Sequence, residues 1–479
     1  MNTIIIQPTE PHPPIANREG FSAAENFSFS PSFDLLSLNS HININSRHKS
    51  VFIDMRTLAD PVTALLDEVD NTPKPRTVVI ETRTQALRYT VNVIRLLRQS
   101  FDDLRIGICG QHPTDYPKEA LAINFVDFAM SGDAEPILKQ YLDYIDLPQR
   151  LAKIPGLQIV DSPVGEPSFV SNIGNMLTTP SWATNFWANY RVDGNKPICE
   201  ATIRTTRGNT GLPPDRAHPE WSEPLRYLDF KMLSSLMERC SAVSVNHVNV
   251  VDPPGVWTQD YLIGWCNALA DFHVRQAWGL QLLPSGLSKK EHAALYEAWC
   301  KRVSFIFPSC DPEILEKYGV HLDLNTVKET IKTLKKHRIS PLIQYWIGGP
   351  EAGKNETALI TSTIRELGFC DFILRPFPLH FDSTVYEECA EDMPSPGLND
   401  YLEWAAAPEE HAPPPAVWGG QDAIPDIQST AARILRKINR SPKRVLKRIR
   451  EQVTHTPWIE KLETKSASID VIGPPTRDP

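Results

Sequence analysis

The stretch IGICGQHPTDYPKEALAINFVDFAMSGDAEPIL, residues 106–138, decides the fold. Two short apolar runs, RIGICG (105–110) and FVDFAMSG (125–132), each lead into a glycine turn: Gly110-Gln111-His112-Pro113-Thr114 after the first, Ser131-Gly132-Asp133-Ala134-Glu135 around the end of the second. Runs of this kind suit strands of a parallel sheet covered on both faces. Working outward, SVFID (50–54), RTVVIE (76–81) and LQIVD (157–161) are of the same type, and between the second of these and RIGICG the residues Leu87, Val91, Ile94 and Leu97 share one helical face, as a βαβ crossover requires. Residues 49–162 are therefore expected to form a small doubly wound, Rossmann-like α/β domain. In such sheets ligands sit at the carboxyl ends of the strands, where the Gly residues let backbone approach closely and His112 and Thr114 can hydrogen-bond. Taken alone, the same turns are also ordinary strand-to-loop connections.

Residues 1–48 are polar, rich in Pro, Asn and Ser and without a sustained period, and read as an N-terminal arm. After a linker (163–195), six further strand–helix units follow over 196–390, beginning ATIRTTRG (201–208), AVSVNHVNVVD (242–252), QAWGLQLLP (276–284), VSFIFP (303–308), PLIQYWIGG (341–349) and CDFILRPFP (370–378). Six such units predict a partial (βα)6 barrel with functional groups at the C-terminal strand ends, and Trp257, Trp265, Trp278, Trp299 and Trp346 are expected to fill it. The last segment, 391–479, has Pro-rich loops and then a basic helical stretch. Residues 431–450 hold nine Lys or Arg and no acid, with Ile434, Leu435, Ile438, Val445, Leu446 and Ile449 on an apolar face; it reads as a solvated basic face or a docking surface for a protein partner.

Composition narrows the function. The chain has 479 residues, 41% hydrophobic and 22% charged, with a net charge of -9, so nothing general points to nucleic acid. No apolar run approaches the roughly 18 residues of a membrane span, and the Ile4–Ile6 cluster without a basic flank is no secretory signal, so a cytoplasmic protein is expected. Eight Cys, the closest pair ten apart, form no C-x2-C or C-x3-C hairpin; they are expected to be buried thiols, and no metal ligands are assigned.

In combination these motifs resemble the cobalamin-dependent radical SAM family over roughly 50–390. Cys109-Gly110-Gln111-His112-Pro113 stands at that family's Gly-Gly-x-His-Pro turn and Gly132-Asp133-Ala134-Glu135 at its Gly-Glu-x-Glu turn. FIFPSCDPEILEKYG (305–319), IQYWIGGPEAGKNET (343–357) and FILRPFPLHFDSTVYEEC (372–389) resemble its fourth, fifth and sixth barrel units. The resemblance implies a cobalamin-binding domain ahead of a partial TIM barrel, and assigns Gly110, Gln111, His112, Thr114, Gly132 and Glu135, with Gly348 and Gly349 in the barrel, to cofactor binding. No D-x-H-x-x-G motif for an axial histidine occurs in the N-terminal domain.

The departure is at the first barrel strand. There the family reads Arg-Gly-Cys and continues C-x3-C-x2-C, three thiolates that hold a four-iron cluster. This chain has Arg207-Gly208 followed by Asn209, with Pro213 and Arg216 at the other two positions, so the four-iron cluster is predicted absent and reductive cleavage of SAM with it. Pro308-Ser309 replaces the family's usual Glu-Ser, which makes SAM binding doubtful. Candidate groups for other chemistry lie at strand ends: His247 and Asn249, two apart and so on one side, Asp252 close by for acid–base work, and Arg204, Arg207, Gln344 and Arg375. Against this, His247 is equally readable as a hydrogen-bonded core histidine. Three readings follow, in this order: a cobalamin-binding enzyme of specialised metabolism that performs non-radical methyl transfer or cyclisation on a small molecule; a catalytically inert partner of an intact radical SAM enzyme; and a scaffold for another small molecule.

Overall fold

The computed structural model describes residues 1–8, 15–17, 20–22, 30–160, 162–175, 191–192, 198–208, 224–243, 245–317, 319–349, 355–368, 370–377 and 423–438. It begins with a correction. Asn2–Gln7 is a strand, β1, whose Ile4, Ile5 and Ile6 are fully buried, and it lies inside the first sheet rather than in a polar arm. The hairpin β2 (Ile15–Asn17) and β3 (Gly20–Ser22) follows, then helix α1 (Phe33–Asn45), β4 (Lys49–Asp54), α2 (Pro61–Asn71), β5 (Arg76–Glu81), α3 (Leu87–Ser100), β6 (Arg105–Cys109), α4 (Gln111–Asp115), β7 (Phe128–Met130), α5 (Ala134–Tyr144), α6 (Pro148–Leu151) and β8 (Leu157–Ile159). The strand order is β4-β1-β5-β6-β7-β8. All pairings are parallel except β7 with β8, so LQIVD is an antiparallel edge and not a further parallel strand.

Both faces of this sheet are covered, which explains its unbroken apolar runs. Ile4, Ile6, Val78, Ile80, Ile106 and Ile108 pack under α3, where Leu87, Val91, Ile94 and Leu97 form the expected buried stripe. Ile5 and Val79 turn the other way, onto Leu35, Leu38 and Ile42 of α1 and Ile137 and Leu138 of α5. The result is a Rossmann-like layer with its C-terminal strand ends at Glu81, Cys109 and Met130.

The second half opens with β9 (Arg191–Val192) and β10 (Ile198–Ile203), a small ribbon β11 (Thr206–Arg207) and β12 (Arg226–Tyr227), and α7 (Phe230–Ala242). It continues through β13 (His247–Val250), α8 (Gln259–Asp271), β14 (Trp278–Leu282), α9 (Lys289–Glu297), β15 (Cys300–Phe307), α10 (Pro312–Lys317), α11 (Leu324–Lys336), β16 (Ser340–Ile347), α12 (Glu356–Glu366), β17 (Asp371–Pro376) and α13 (Ala423–Ile438). Six parallel strands, β10-β13-β14-β15-β16-β17, make the partial barrel. Antiparallel strands close its two sides: β9 beside β10, and the hairpin β2–β3 beside β17. The N-terminal segment thus supplies a strand to each sheet, and the barrel's exposed edge is covered rather than left to pair with another chain.

Alternation along the barrel strands sorts side chains cleanly. Ala201, Val248, Leu280, Phe305, Tyr345 and Leu374 face the helices in one apolar core. Trp265 and Trp278 lie in that outer layer too, rings at 5.8 Å edge-to-face, with the Trp278 indole N–H donated to Ala298 O at 2.7 Å. They fill the space between sheet and helices, not the barrel lumen as expected, and Trp299 is exposed at 41%. The six cysteines whose side chains are described, Cys109, Cys240, Cys266, Cys300, Cys310 and Cys370, are buried. Burial pushes the Cys300 and Cys310 thiols up to about 12, so they stay protonated and unreactive. The Cys199 side chain and Cys389 lie outside the described residues. Among the described residues no helix is long and apolar enough to cross a membrane, and no group of side chains is arranged to hold a metal ion.

Candidate functional site

Two polar constellations lie between and within the domains. The first is at the C-terminal edge of the N-terminal sheet. Asp252, just beyond β13, accepts the backbone N–H groups of Thr205 at 2.9 Å and Thr206 at 3.0 Å, and also both threonine hydroxyls. Burial raises its pKa, an effect these hydrogen bonds oppose. The fixed turn sends the chain into the β11–β12 ribbon, where Arg207 and Arg226 are directly opposed. Two cations side by side are tolerated because three carboxylates meet them. Arg207 donates to Asp34 at 3.1 Å, Asp133 at 3.1 Å and both Glu135 oxygens at 3.0 and 2.8 Å, and Arg226 reaches Asp133 at 2.5 Å and Val170 O at 2.8 Å. Burial pushes the Asp34 carboxyl up, but the Arg204 and Arg207 guanidiniums together hold it below its ordinary value.

This geometry corrects several sequence assignments. Arg207 is not on the first barrel strand and does not face the lumen; it clamps the domains together. Asp252 is a structural acceptor for the turn that carries Arg207, and it is not brought to His247. His247 opens β13 and Asp252 lies beyond its end, five residues or roughly 16 Å along an extended chain. Glu135 is consumed by Arg207. Thr114 donates its hydroxyl to Gly110 O at 2.8 Å and accepts the Gly132 N–H at 3.0 Å, fastening the two glycine turns to each other. Gly132 itself has φ +100°, and a Cβ there would stand 2.1 Å from Ser168 O, so the chain's own backbone occupies the close approach its glycine permits. His112 is fully buried with Nδ1 3.1 Å from Thr84 Oγ1, and burial lowers its pKa to about 4; it supports the turn from beneath.

At this edge Gly110 is half-buried, its carbonyl taken by Thr114, and the Gln111 side chain is exposed. A corrin is rimmed with neutral carboxamides, which a backbone turn and a glutamine amide suit chemically. Gly110 and Gln111 fit that group, while the Thr114 and Glu135 side chains, His112 Nδ1 and Gly132 already have partners within the chain. Gly348 and Gly349 are also corrected. Gly348 has φ +72°, donates its N–H to Glu356 at 2.9 Å, and would place a Cβ 2.9 Å from Ile427 of α13, while a Cβ on Gly349 would meet Phe377 at 2.9 Å. They make room for the chain's own packing. Asn209, Pro213, Arg216 and the Asp382-Ser383-Thr384 turn lie outside the described residues.

The second constellation lines the barrel lumen. The alternation that sends apolar residues outward leaves Glu200, Asn249, Gln281, Arg302, Gln344 and Arg375 around a cavity with about 440 Å³ of unfilled space, part of it open solvent. Val250, Val251, Gly279, Leu280, Ser304 and Leu342 complete its wall. Asn249 donates to Glu200 at 2.7 Å, and Arg302 faces the other Glu200 oxygen at 3.5 Å. His247 is buried beside Gly279, its Nε2 without a hydrogen-bond partner; burial, then the Arg302 cation, lowers its pKa to about 3. It stays neutral near pH 7 and is a weak base. The cavity lies along the middle of the strands, not beyond their C-terminal ends. Sequence reasoning found Asn249, Gln344 and Arg375 and missed Glu200, Gln281 and Arg302, although each sits two residues from another lumen position or between outward apolar residues.

The basic C-terminal segment is partly docked on its own barrel. Ile427, Ala431, Ile434, Leu435 and Ile438 of α13 are buried in the barrel core, mainly against α12. Those apolar residues are therefore not a partner surface; Val445, Leu446 and Ile449 lie outside the described residues.

No family model matches the chain, and no curated protein is similar to it in sequence. The fold is similar to the radical S-adenosylmethionine methyltransferase TsrM from Kitasatospora setae, solved with cobalamin and a four-iron, four-sulfur cluster bound, at TM-score 0.63 and 15% identity over 83% of this chain and 79% of that one. It is also similar to the cobalamin-dependent S-adenosylmethionine radical enzyme OxsB, solved with aqua-cobalamin and S-adenosylmethionine, at TM-score 0.55 and 13% identity. That match covers 84% of this chain but 56% of OxsB. The chain therefore has the two-domain fold of cobalamin-dependent radical SAM enzymes, a Rossmann-like sheet followed by a six-strand partial barrel and a C-terminal helix.

Proposed function

We propose that this chain is a radical-SAM-like protein that holds a small polar molecule in its barrel lumen and acts on it without an iron–sulfur cluster, in a non-radical reaction of methyl-transfer or cyclisation type. One observation carries the reading: the lumen is polar. A barrel that serves only as scaffold fills its interior with layers of branched apolar side chains. Here Glu200, Asn249, Gln281, Arg302, Gln344 and Arg375 surround open space instead. Polar groups turned inward are stable where they meet hydrogen-bond partners, which here can be each other, water or a ligand.

The cluster is left out because Asn209, Pro213 and Arg216 offer no thiolate. Cobalamin is kept in the proposal on the resemblance, on the cofactor of the similar structures, and on the fit of Gly110 and Gln111. When bound, a corrin supplies a cobalt centre able to carry a methyl group. The chain's own residues do the rest: the Arg207 clamp fixes the corrin edge relative to the lumen, and the lumen orients the small molecule and limits water.

The test is anaerobic purification, incubation with hydroxocobalamin, removal of the excess, and measurement of the visible spectrum with iron and sulfide content. A retained corrin spectrum without iron is expected. Stoichiometric iron and sulfide would overturn the cluster-free reading. Failure to retain corrin, with co-purification of a cluster-bearing homologue, would replace it with the role of inert partner.

A further inference from the structure

We infer that the N-terminal end of the barrel, opposite the domain clamp, docks an acidic segment of a partner protein on a face built around Trp299. Four helix-to-strand turns, leading into β14, β15, β16 and β17, each hold one residue in the left-handed region: His273 at φ +54°, Trp299 at +63°, Arg338 at +58° and Gly368 at +83°. In each, the N–H of that residue is donated to a carbonyl three residues back, at 3.0–3.2 Å. Val274, Cys300 and Ile339, which follow the first three, are buried beneath the turn. Glycine is the residue this position favours, and only Gly368 supplies it; the other three strain the backbone to hold an imidazole, an indole and a guanidinium at the surface. Strain kept at exposed side chains points to a use for those side chains.

The three strained turns lie side by side because β14, β15 and β16 are neighbours. Arg275 and Lys301 stand over the Trp299 ring at 5.9 and 5.0 Å, and the Tyr296 ring meets His337 at 5.3 Å, so the face is continuous from α8 to α11. Phe272, Tyr296 and Trp299 are 43%, 53% and 41% exposed on it. Residues 271–275, 296–301 and 335–338 carry Arg275, Lys301, Lys335, Lys336 and Arg338, all exposed, against Asp271 and Glu297. In a chain of net charge -9 this face is cationic, and it ends at the next turn, which Glu366 and Asp371 border. Cations framing an indole match carboxylates spaced around an apolar group. A membrane fits less well: the Trp299 ring cannot enter lipid without carrying Arg275 and Lys301, and Asp271 and Glu297 repel anionic headgroups. Nucleic acid needs an open aromatic face for stacking, and cations occupy that of Trp299. At about 8–10 Å between neighbouring helices the face spans roughly 20 Å, the reach of about six extended residues.

The experiment uses the purified full chain at low ionic strength and the fluorescence anisotropy of a labelled hexapeptide of four Glu and two Leu. Its Lys counterpart, single-stranded oligothymidine and phosphatidylserine vesicles are titrated beside it. The Glu peptide is expected to bind, with affinity falling roughly tenfold or more in Trp299→Gly and about threefold in Lys301→Gln or Arg275→Gln, which read the same loss should Trp299→Gly fail to fold. Arg338→Gly relieves the left-handed backbone, so it should hold or raise Tm while weakening the peptide about threefold, a pairing that a purely structural role would not give. The basic stretch that follows α13 is separated by a variant with the six Lys and Arg of 440–450 changed to Gln, in which the Trp299 dependence should persist. Binding lost in that variant and untouched by Trp299→Gly would overturn the inference. So would failure of the Glu peptide to bind, equal binding of the Lys peptide, or a Trp299-dependent affinity for vesicles or oligothymidine above that for the peptide. None of these outcomes bears on corrin retention, which tests the proposed function separately.

Discussion

The domain clamp and the barrel lumen are made of the same materials and do opposite things. In the clamp, Arg207 and Arg226 meet Asp34, Asp133 and Glu135 with contacts of 2.5–3.3 Å, and all but Asp34 at the rim are buried. In the lumen, Arg302 faces Glu200 at 3.5 Å, and its side chain is 35% exposed beside open space. Arginines and acids hold the fold where buried partners meet them at close range, and are open to solvent or a ligand where the contact is long and space lies beside it. Residue type alone does not separate the two cases; closure of the shell does.

The same substitution should therefore have very different costs in the two places. Arg207→Met leaves Asp34 and Glu135 without their guanidinium in a largely buried site, and the expected loss of stability is about 3–5 kcal/mol in urea unfolding. Arg302→Met removes a long, part-exposed contact and should change stability by less than about 1 kcal/mol. Equal costs would break the distinction. Arg302→Met also removes one of the two causes that depress the His247 pKa, so its titration, followed by NMR, should move up from about 3.

Acid sharpens the contrast further. His112, sealed under the glycine turns, has a pKa lowered to about 4 from 6.5. Folded protein thus binds that proton more weakly than unfolded protein does. The stability it contributes is full above pH 6.5 and is lost as pH falls from there through about 4, on the order of 3 kcal/mol. A His112→Gln variant should flatten this part of the stability–pH curve without altering corrin retention. A changed ligand affinity with an unchanged curve would place His112 in a binding role after all.

These contrasts also explain what was legible in the sequence. RTVVIE and RIGIC are readable because a strand covered on both faces carries its own signature, and Leu87, Val91, Ile94 and Leu97 mark their helix by period alone. β1 was not readable: three isoleucines between Asn2-Thr3 and Gln7-Pro8 are too few for a period, and only pairing with β4 and β5 on either side makes them central. Asp252 looked like a partner for His247 because it is near in sequence, whereas its actual partners are Thr205 and Thr206, 47 and 46 residues away. The lumen was half legible. Two-residue spacing linked His247 to Asn249, but which face of each strand points inward is set by how the sheet closes, and that depends on contacts among all six strands.

Gly348 offers the smallest and most particular test, since it sits at the end of a lumen strand yet belongs to the closed category. Its φ of +72° favours glycine, its N–H is held by Glu356, and an added methyl would press on Ile427 at 2.9 Å. Gly348→Ala is expected to cost about 1–2 kcal/mol, from the left-handed backbone together with displacement of a flexible Ile side chain. The displacement acts on α13, so limited proteolysis should release the C-terminal helix sooner than in the wild type, while corrin retention stays unchanged. The opposite pattern, intact stability with altered corrin retention, would mean that the turn after β16 reaches the ligand. The boundary between chain-closed and ligand-facing groups would then run further toward the C-terminal end of the barrel than the side chains of Gln344 and Arg375 mark it.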